Sequence, residues 1–127
     1  MAIRTELTLR LPNSPGALAG ICRILGDERV NITALALDRS GQLHLVVDNH
    51  VHAASVLRER HHQVAEREVI VAAIGASPGA LAPVLELLAG AGVNVDYAYA
   101  SAPEGAKNAA VVIGVPDAAR AAAAAGV

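Results

Sequence analysis

An internal repeat constrains this chain more than any other feature. Asn13-Ser14-Pro15-Gly16-Ala17-Leu18-Ala19 recurs 63 positions later as Ala76-Ser77-Pro78-Gly79-Ala80-Leu81-Ala82. At the same offset Leu25 becomes Leu88, and Val30-Asn31-Ile32 becomes Val93-Asn94-Val95. A short run of small residues can coincide in an Ala-rich chain, but a distant Val-Asn pair in the same ungapped register marks a duplication. The 127 residues therefore read as two small units, 1–67 and 68–127. A unit of about 60 residues buries only about 60% of the surface its unfolded chain exposes, so two such units gain by packing side by side.

Both copies read as the same run of elements. Leu7, Leu9 and Leu11 alternate with Thr8 and Arg10, the period of a half-buried strand. Ser14-Pro15-Gly16 is a turn signal entering a helix, with Ser14 as the expected cap and Pro15 compatible with the first turn. Leu18, Ile21, Cys22 and Leu25 follow at i, i+3, i+4 and i+7, which makes one helix face apolar. Strands over 32–38 and 42–48 flank an Arg39-Ser40-Gly41 turn, and Asn49 caps a second helix whose apolar face includes Val51, Ala54, and Leu57 or Val56. Residues 63–67 form a weak fourth strand that runs into 68–74, the first strand of copy two.

Copy two continues with a helix over 79–89, a strand over 95–101 and a loop around Pro103-Glu104-Gly105. A strand over 108–115 and an Ala-rich helix opened by Pro116-Asp117 complete it, leaving no sequence for a fourth strand. Two strand-helix-strand units per copy imply an α+β fold of two ferredoxin-like βαββαβ units in tandem. Each has an antiparallel sheet with both helices on one face, and the sheets join side by side. The second unit lacks its last strand, so 68–74 has an unpaired neighbour position, which predicts a homodimer or a borrowed strand.

Composition narrows the function. The chain is 54% apolar yet has no Trp or Phe, and its only aromatics are Tyr97 and Tyr99, so the core is aliphatic. Ten basic against twelve acidic residues leave no basic patch with interleaved aromatics, which argues against nucleic acid. The single Cys, Cys22, has no intramolecular partner, and the start of the chain has no apolar signal-peptide core, so the cytoplasm is expected. Residues 69–85 carry no charge, but Gly75, Pro78, Gly79 and Pro83 interrupt them, which argues against a membrane span.

Leu11-Pro12-Asn13-Ser14-Pro15-Gly16-Ala17-Leu18, followed by Val30-Asn31-Ile32, resembles the ACT domain family. Ser77-Pro78-Gly79-Ala80-Leu81 with Gly92-Val93-Asn94-Val95 resembles it again, so the likeness covers nearly the whole chain and is closest to stand-alone tandem ACT proteins. The resemblance implies a regulatory protein that binds a free amino acid and requires no cofactor. It also implies a site at the seam, between the first strand-helix loop of one unit and the second strand of the other. A helix start offers unpaired N–H groups and partial positive charge to a carboxylate. Gly16, Ala17 and Leu18 would supply these, with Asn13 and Ser14 beside them. Carbonyls at Asn94 and Val95 or the Asp96 carboxylate would take the amino group, with Tyr97 adjacent. The mate site would use Ser77, Gly79, Ala80 and Leu81 with Asn31, Ile32 and Thr33; carrying Ala76 for Asn13 and Thr33 for Asp96, it is expected to be the weaker one.

Each feature also has a purely structural reading. Ser-Pro-Gly loops start helices without any ligand. Asn31 and Asn94 suit left-handed or capping positions, the tyrosines suit a core or interface, and Asp96 suits a solvated strand end. The five histidines give no metal site: His50 and His52 lie two apart on a helix, His61 and His62 are adjacent, and no Cys has zinc-site spacing. Neither a phosphate loop, a dinucleotide fingerprint nor a nucleophile elbow is present. The reading is a non-catalytic amino-acid sensor acting on its own assembly or on a metabolic enzyme. The rivals are a ligand-free oligomerisation or protein-interaction module and a small enzyme on the same sheet.

Overall fold

Alternating leucines build the first strand. The computed structural model describes residues 1–101 and 103–126. These fall into two units, Thr5–Arg67, and Glu68 onward together with Met1–Arg4. In chain order the elements are β1 (Ala2–Arg10), α1 (Ala17–Asp27), β2 (Ile32–Leu37), β3 (Gln42–Val47), α2 (His50–Glu59), β4 (Ala65–Gly75), α3 (Ala82–Gly90), β5 (Tyr97–Ser101), β6 (Asn108–Gly114) and α4 (Ala118–Ala124). The protein is thus α+β with antiparallel strands.

In the first unit the strand order is β2-β3-β1. Leu7 lies opposite Leu45 and Leu9 opposite Leu43, so one face carries paired leucines. Ile21 and Leu25 of α1 and Ala53, Ala54 and Leu57 of α2 join them in a single core. Each fully buried Leu or Ile is worth about 1.5–3 kcal/mol relative to exposure. Cys22, expected in the α1 stripe, is half-buried. Val51, expected on the inner face of α2, points outward at 69% exposure, and Ala53, Val56 and Leu57 are buried with Ala54. Asn49 caps α2 as expected, its side chain accepting from the His52 N–H at 3.1 Å.

The α1 start departs from expectation. Its cap is Gly16, at φ 85°, and no side chain caps it. Ser14 instead turns the backbone: its N–H donates to the Pro12 carbonyl at 2.9 Å and its carbonyl accepts from Ala17 at 3.3 Å. That turn moves the first helical residue to Ala17, beyond reach of the Ser14 hydroxyl.

Helix α1 ends with Arg29 in the left-handed region, φ 59°, and Val30 N–H donating to the Leu25 carbonyl. Copy two places Gly92, φ 72°, at the same step, with Val93 donating to Leu88. Glycine meets no Cβ penalty there. Arg29→Gly is therefore expected to stabilise the first unit by about 0.5–1 kcal/mol, read as a rise in the urea midpoint; an unchanged or lower midpoint refutes it.

The β2–β3 turn holds Asp38 against Ser40, whose N–H donates to Oδ1 at 2.9 Å and whose hydroxyl donates to the same oxygen. The Ser40 hydroxyl bond, with backbone bonds from Ser40 and Gln42, holds the Asp38 carboxyl below its ordinary value of 3.8, against a smaller opposing effect of desolvation. A depressed carboxyl contributes stability above its unfolded value, and that contribution is lost as pH falls through the folded value. An NMR titration should place Asp38 below 3.8, and Ser40→Ala should return it towards that value.

In the second unit the order is β4-β6-β5. Ile70, Val111 and Ile113 form its core with Leu88 of α3 and Ala118 and Ala121 of α4. Helix α3 begins three residues later than its sequence pattern suggests, with Pro83 in the first turn and no side-chain cap. Asp117 caps α4 by accepting from the Arg120 N–H at 3.0 Å. Tyr97 crosses over Gly114, where an added Cβ would lie 2.3 Å from the Tyr97 ring.

The missing fourth strand is corrected. Met1–Arg4 belong to this unit, Ala2–Arg4 are extended, and β4 has strand neighbours on both sides, β1 and β6. A strand requires a neighbour in space, not a particular place in the sequence. Of the two outcomes expected for the open β4 edge, a homodimer or a borrowed strand, this arrangement meets the second.

Candidate ligand-binding loops

The first loop sits in the first unit. Leu11 is buried, and its N–H donates to the Gly41 carbonyl at 2.7 Å, tying the loop's base to the β2–β3 turn. Asn13, Ser14 and Gly16 are exposed, whereas Ala17 and Leu18 pack partly on the core. Of the three N–H groups expected to meet a carboxylate, that of Ala17 is already taken by Ser14. Those of Gly16 and Leu18, and that of the next residue, Ala19, have no acceptor among the described residues and retain the helix-start chemistry.

Asn31 and Asp48 are tied twice: the Asn31 N–H donates to Asp48 Oδ1 at 3.0 Å and the Asn31 carbonyl accepts from Asp48 at 3.1 Å. Ile32 packs on the core, and the Thr33 hydroxyl donates to the Val46 carbonyl at 2.9 Å beside a break in the β2–β3 register. In the second unit, Asn94 Nδ2 donates to Asp96 Oδ1 at 3.2 Å, and Asp96 N–H donates to Gly114 at 2.8 Å. Val95 packs on the second core. Neither Asn31 nor Asn94 is left-handed; the non-glycine residues that are, among those described, are Arg29 and His61. Tyr97 and Tyr99 are half-buried and stacked, centroids 6.5 Å apart.

The second loop borders a cavity of about 510 Å³. Residues 74–82 form one wall, Pro103–Ala106 of the β5–β6 connection another, and Ala100, Ala109 and Val111 the floor. Ser77, Gly79, Ala80 and Leu81 all line it. The Ala80 N–H is taken by the Ser77 carbonyl at 3.2 Å, while those of Leu81, Ala82 and Val84 have no acceptor among the described residues. The cavity thus lies at the loop for which the sequence suggested the weaker site. The longer β5–β6 connection was visible beforehand, but its return over the loop was not.

A further pair escaped the sequence reading. Glu6 has no exposed surface, and His44 Nδ1 lies 3.1 Å from its Oε1. Strand alternation sets both on the face opposite the leucines, where a polar residue is ordinarily solvated. Among the described residues, no three His, Cys, Asp or Glu side chains are grouped to hold a metal. No helix among them is long and apolar enough to cross a membrane.

Known proteins share this architecture. The ACT domain model matches residues 5–66, nearly the whole of the first unit. Protein BT0572 from Bacteroides thetaiotaomicron aligns over 96% of this chain and 85% of its own, with a TM-score of 0.82 and 26% identity. The ligand-free regulatory subunit of aspartate kinase from Thermus thermophilus aligns over 98% and 92%, TM-score 0.69, 18% identity. A putative C-terminal regulatory domain of aspartate kinase from Porphyromonas gingivalis aligns over 98% and 91%, TM-score 0.56, 16% identity. No curated protein matches the chain in sequence. With the family's model lying over 5–66 and its fold recurring in these structures, the chain is an ACT domain protein.

Proposed function

We propose that this chain is a regulatory protein that binds a free amino acid through two ACT units in tandem, 1–67 and 68–127, and passes that signal to a metabolic enzyme. The observation that carries the reading is the pairing of an ACT domain over 5–66 with a helix start whose Leu18 and Ala19 N–H groups are unpaired. Such groups favour an α-carboxylate. The likeness to regulatory subunits of aspartate kinase supports a regulatory role, and the likeness to the aspartokinase alpha and beta subunits supports an enzyme as the partner. Asn13 and Ser14, on the first loop, and Asn94 and Asp96, before β5, are the side chains proposed to select the ligand. The Thr33 hydroxyl is already engaged by the Val46 carbonyl, which supports a structural role for it.

A thermal-shift screen of the twenty amino acids tests the reading. A ligand that binds only the folded form stabilises it by about 2.7 kcal/mol at 100 times Kd, a rise of several degrees in a chain of this size. Asn13→Ala and Asp96→Ala are both expected to shrink that rise, and Asn13→Ala to do so without lowering the unliganded midpoint, since the Asn13 side chain is exposed. No rise with any amino acid at millimolar concentration overturns the reading and favours a ligand-free assembly module.

A further inference from the structure

Each copy ends its first helix close to where it begins its second, and the copies differ there in which acids they carry. At the repeat's offset of 63 residues Glu28 becomes Ala91, whereas Asn31 is kept as Asn94. The caps Asn49 and Asp117 align the second helices, which sets Asp48 against Pro116 and His52 against Arg120. The same alignment sets Leu45 against Ile113, the residues opposite Leu35 of β2 and Ala98 of β5. In the first unit two carboxylates span this place. Glu28 Oε2 lies 3.3 Å from His52 Nε2, and Asp48 Oδ1 accepts from the Asn31 N–H at 3.0 Å.

In the second unit both acids are gone and a donor remains at each partner position. The Asn94 N–H has no acceptor among the described residues, and the Arg120 guanidinium has no partner among them. Both residues line a cavity of about 300 Å³, walled by 91–94 at the end of α3 and by Pro116, Asp117 and Arg120 at the start of α4. That is the lower end of the size range of small-molecule pockets, about 300–1,000 Å³. Val93 and Ala121 give the lining an apolar part, and the acid in it, Asp117, has Oδ1 engaged by the Arg120 N–H. A lone exposed arginine is ordinarily just solvated. Here it shares a cavity with a backbone donor, and the first copy shows that a carboxylate fits opposite each of them.

We infer that this cavity binds a small dicarboxylate. One carboxylate takes the place of Glu28 and forms a charge-assisted pair with Arg120. The other takes the place of Asp48 and accepts from the Asn94 N–H, while the aliphatic spacer packs on Val93 and Ala121. The site uses neither of the helix-starting loops, so it goes beyond the proposed function and stands whether or not an amino acid binds at those loops.

Titration of the full chain with succinate at constant ionic strength, followed through the NMR signals of the Asn94 amide and the Arg120 side chain, tests it. Succinate is expected to shift both signals to saturation. Acetate and inorganic phosphate are expected to bind at least about tenfold more weakly, since neither can meet both donors through two carboxylates. Arg120→Gln is expected to weaken succinate binding by about tenfold or more. Ala91→Glu, which places the first copy's acid in the second, is expected to weaken it as much by occupying the guanidinium. Arg120 is exposed and caps nothing through its side chain, and the first copy carries Glu at the position of Ala91, so both variants are expected to fold. Absence of saturation with succinate at millimolar concentration, equal affinity for acetate or phosphate, or a Kd unchanged by both variants overturns the inference.

Discussion

Gly41→Ala is expected to destabilise the first unit by about 3 kcal/mol or more, seen as a large fall in the urea midpoint. The residue sits at φ +89°, and an added Cβ would lie 2.1 Å from the Leu11 carbonyl oxygen. The left-handed conformation alone costs a non-glycine residue about 1–2 kcal/mol. The clash is with backbone, which cannot rotate away as a side chain can. Relieving it means moving the turn, and the turn's carbonyl accepts the Leu11 N–H at 2.7 Å, a bond worth about 1 kcal/mol. Against a total stability of about 5–15 kcal/mol for a whole domain, the loss is large. Leu11 also leads directly into Pro12-Asn13-Ser14, so ligand response through the first loop should fall with stability. Gly20→Ala is the control. Gly20 lies inside α1 with open space where its Cβ would be, and the change should stabilise by about 0.5–1 kcal/mol. If both substitutions have the same sign, the steric argument fails.

His44→Leu is expected to cost about 2–3 kcal/mol. Glu6 has no exposed surface, and His44 Nδ1 lies 3.1 Å from its Oε1. Removing one partner leaves a buried acceptor short of a bond, a penalty larger than the net worth of the bond itself. Replacing both partners avoids that penalty. Glu6→Leu combined with His44→Leu should therefore cost less than the sum of the two single changes. Chemical denaturation of both single variants and the double variant gives the coupling energy directly. A loss in the double variant equal to the sum of the two single losses would show that the two residues act independently.

These two effects differ in how far the sequence announces them. Arg39-Ser40-Gly41 between two strands is a legible turn, although the approach of Leu11 to within a bond of Gly41 is not. Glu6 is harder. Alternation with Leu7 marks it as a polar-face residue, and nothing local says that the face is covered there or that His44, thirty-eight residues on, reaches it. Ser14 shows the opposite error. Its type suits a helix cap, but the Ser14–Ala17 turn and left-handed Gly16 shift the helix start past its reach. Asn49 and Asp117 meet no competing turn, and both cap as their sequence positions imply.

The sequence by itself determined the duplication, the kind and order of the elements, the leucine face of the first sheet and the helix-starting loops. Each of these depends on periodicity or on neighbours within a few residues, which the chain states directly. Tertiary structure decided which extended segments share a unit, bringing Met1–Arg4 to the second copy, and whether a loop start borders empty space. Strand pairing and enclosed volume depend on residues far apart in the chain, and no local pattern encodes the distance between them. The repeat still held part of the answer. Leu37 against Ala100 stood in the sequence as a difference without meaning until the fold placed Ala100 on the floor of a cavity.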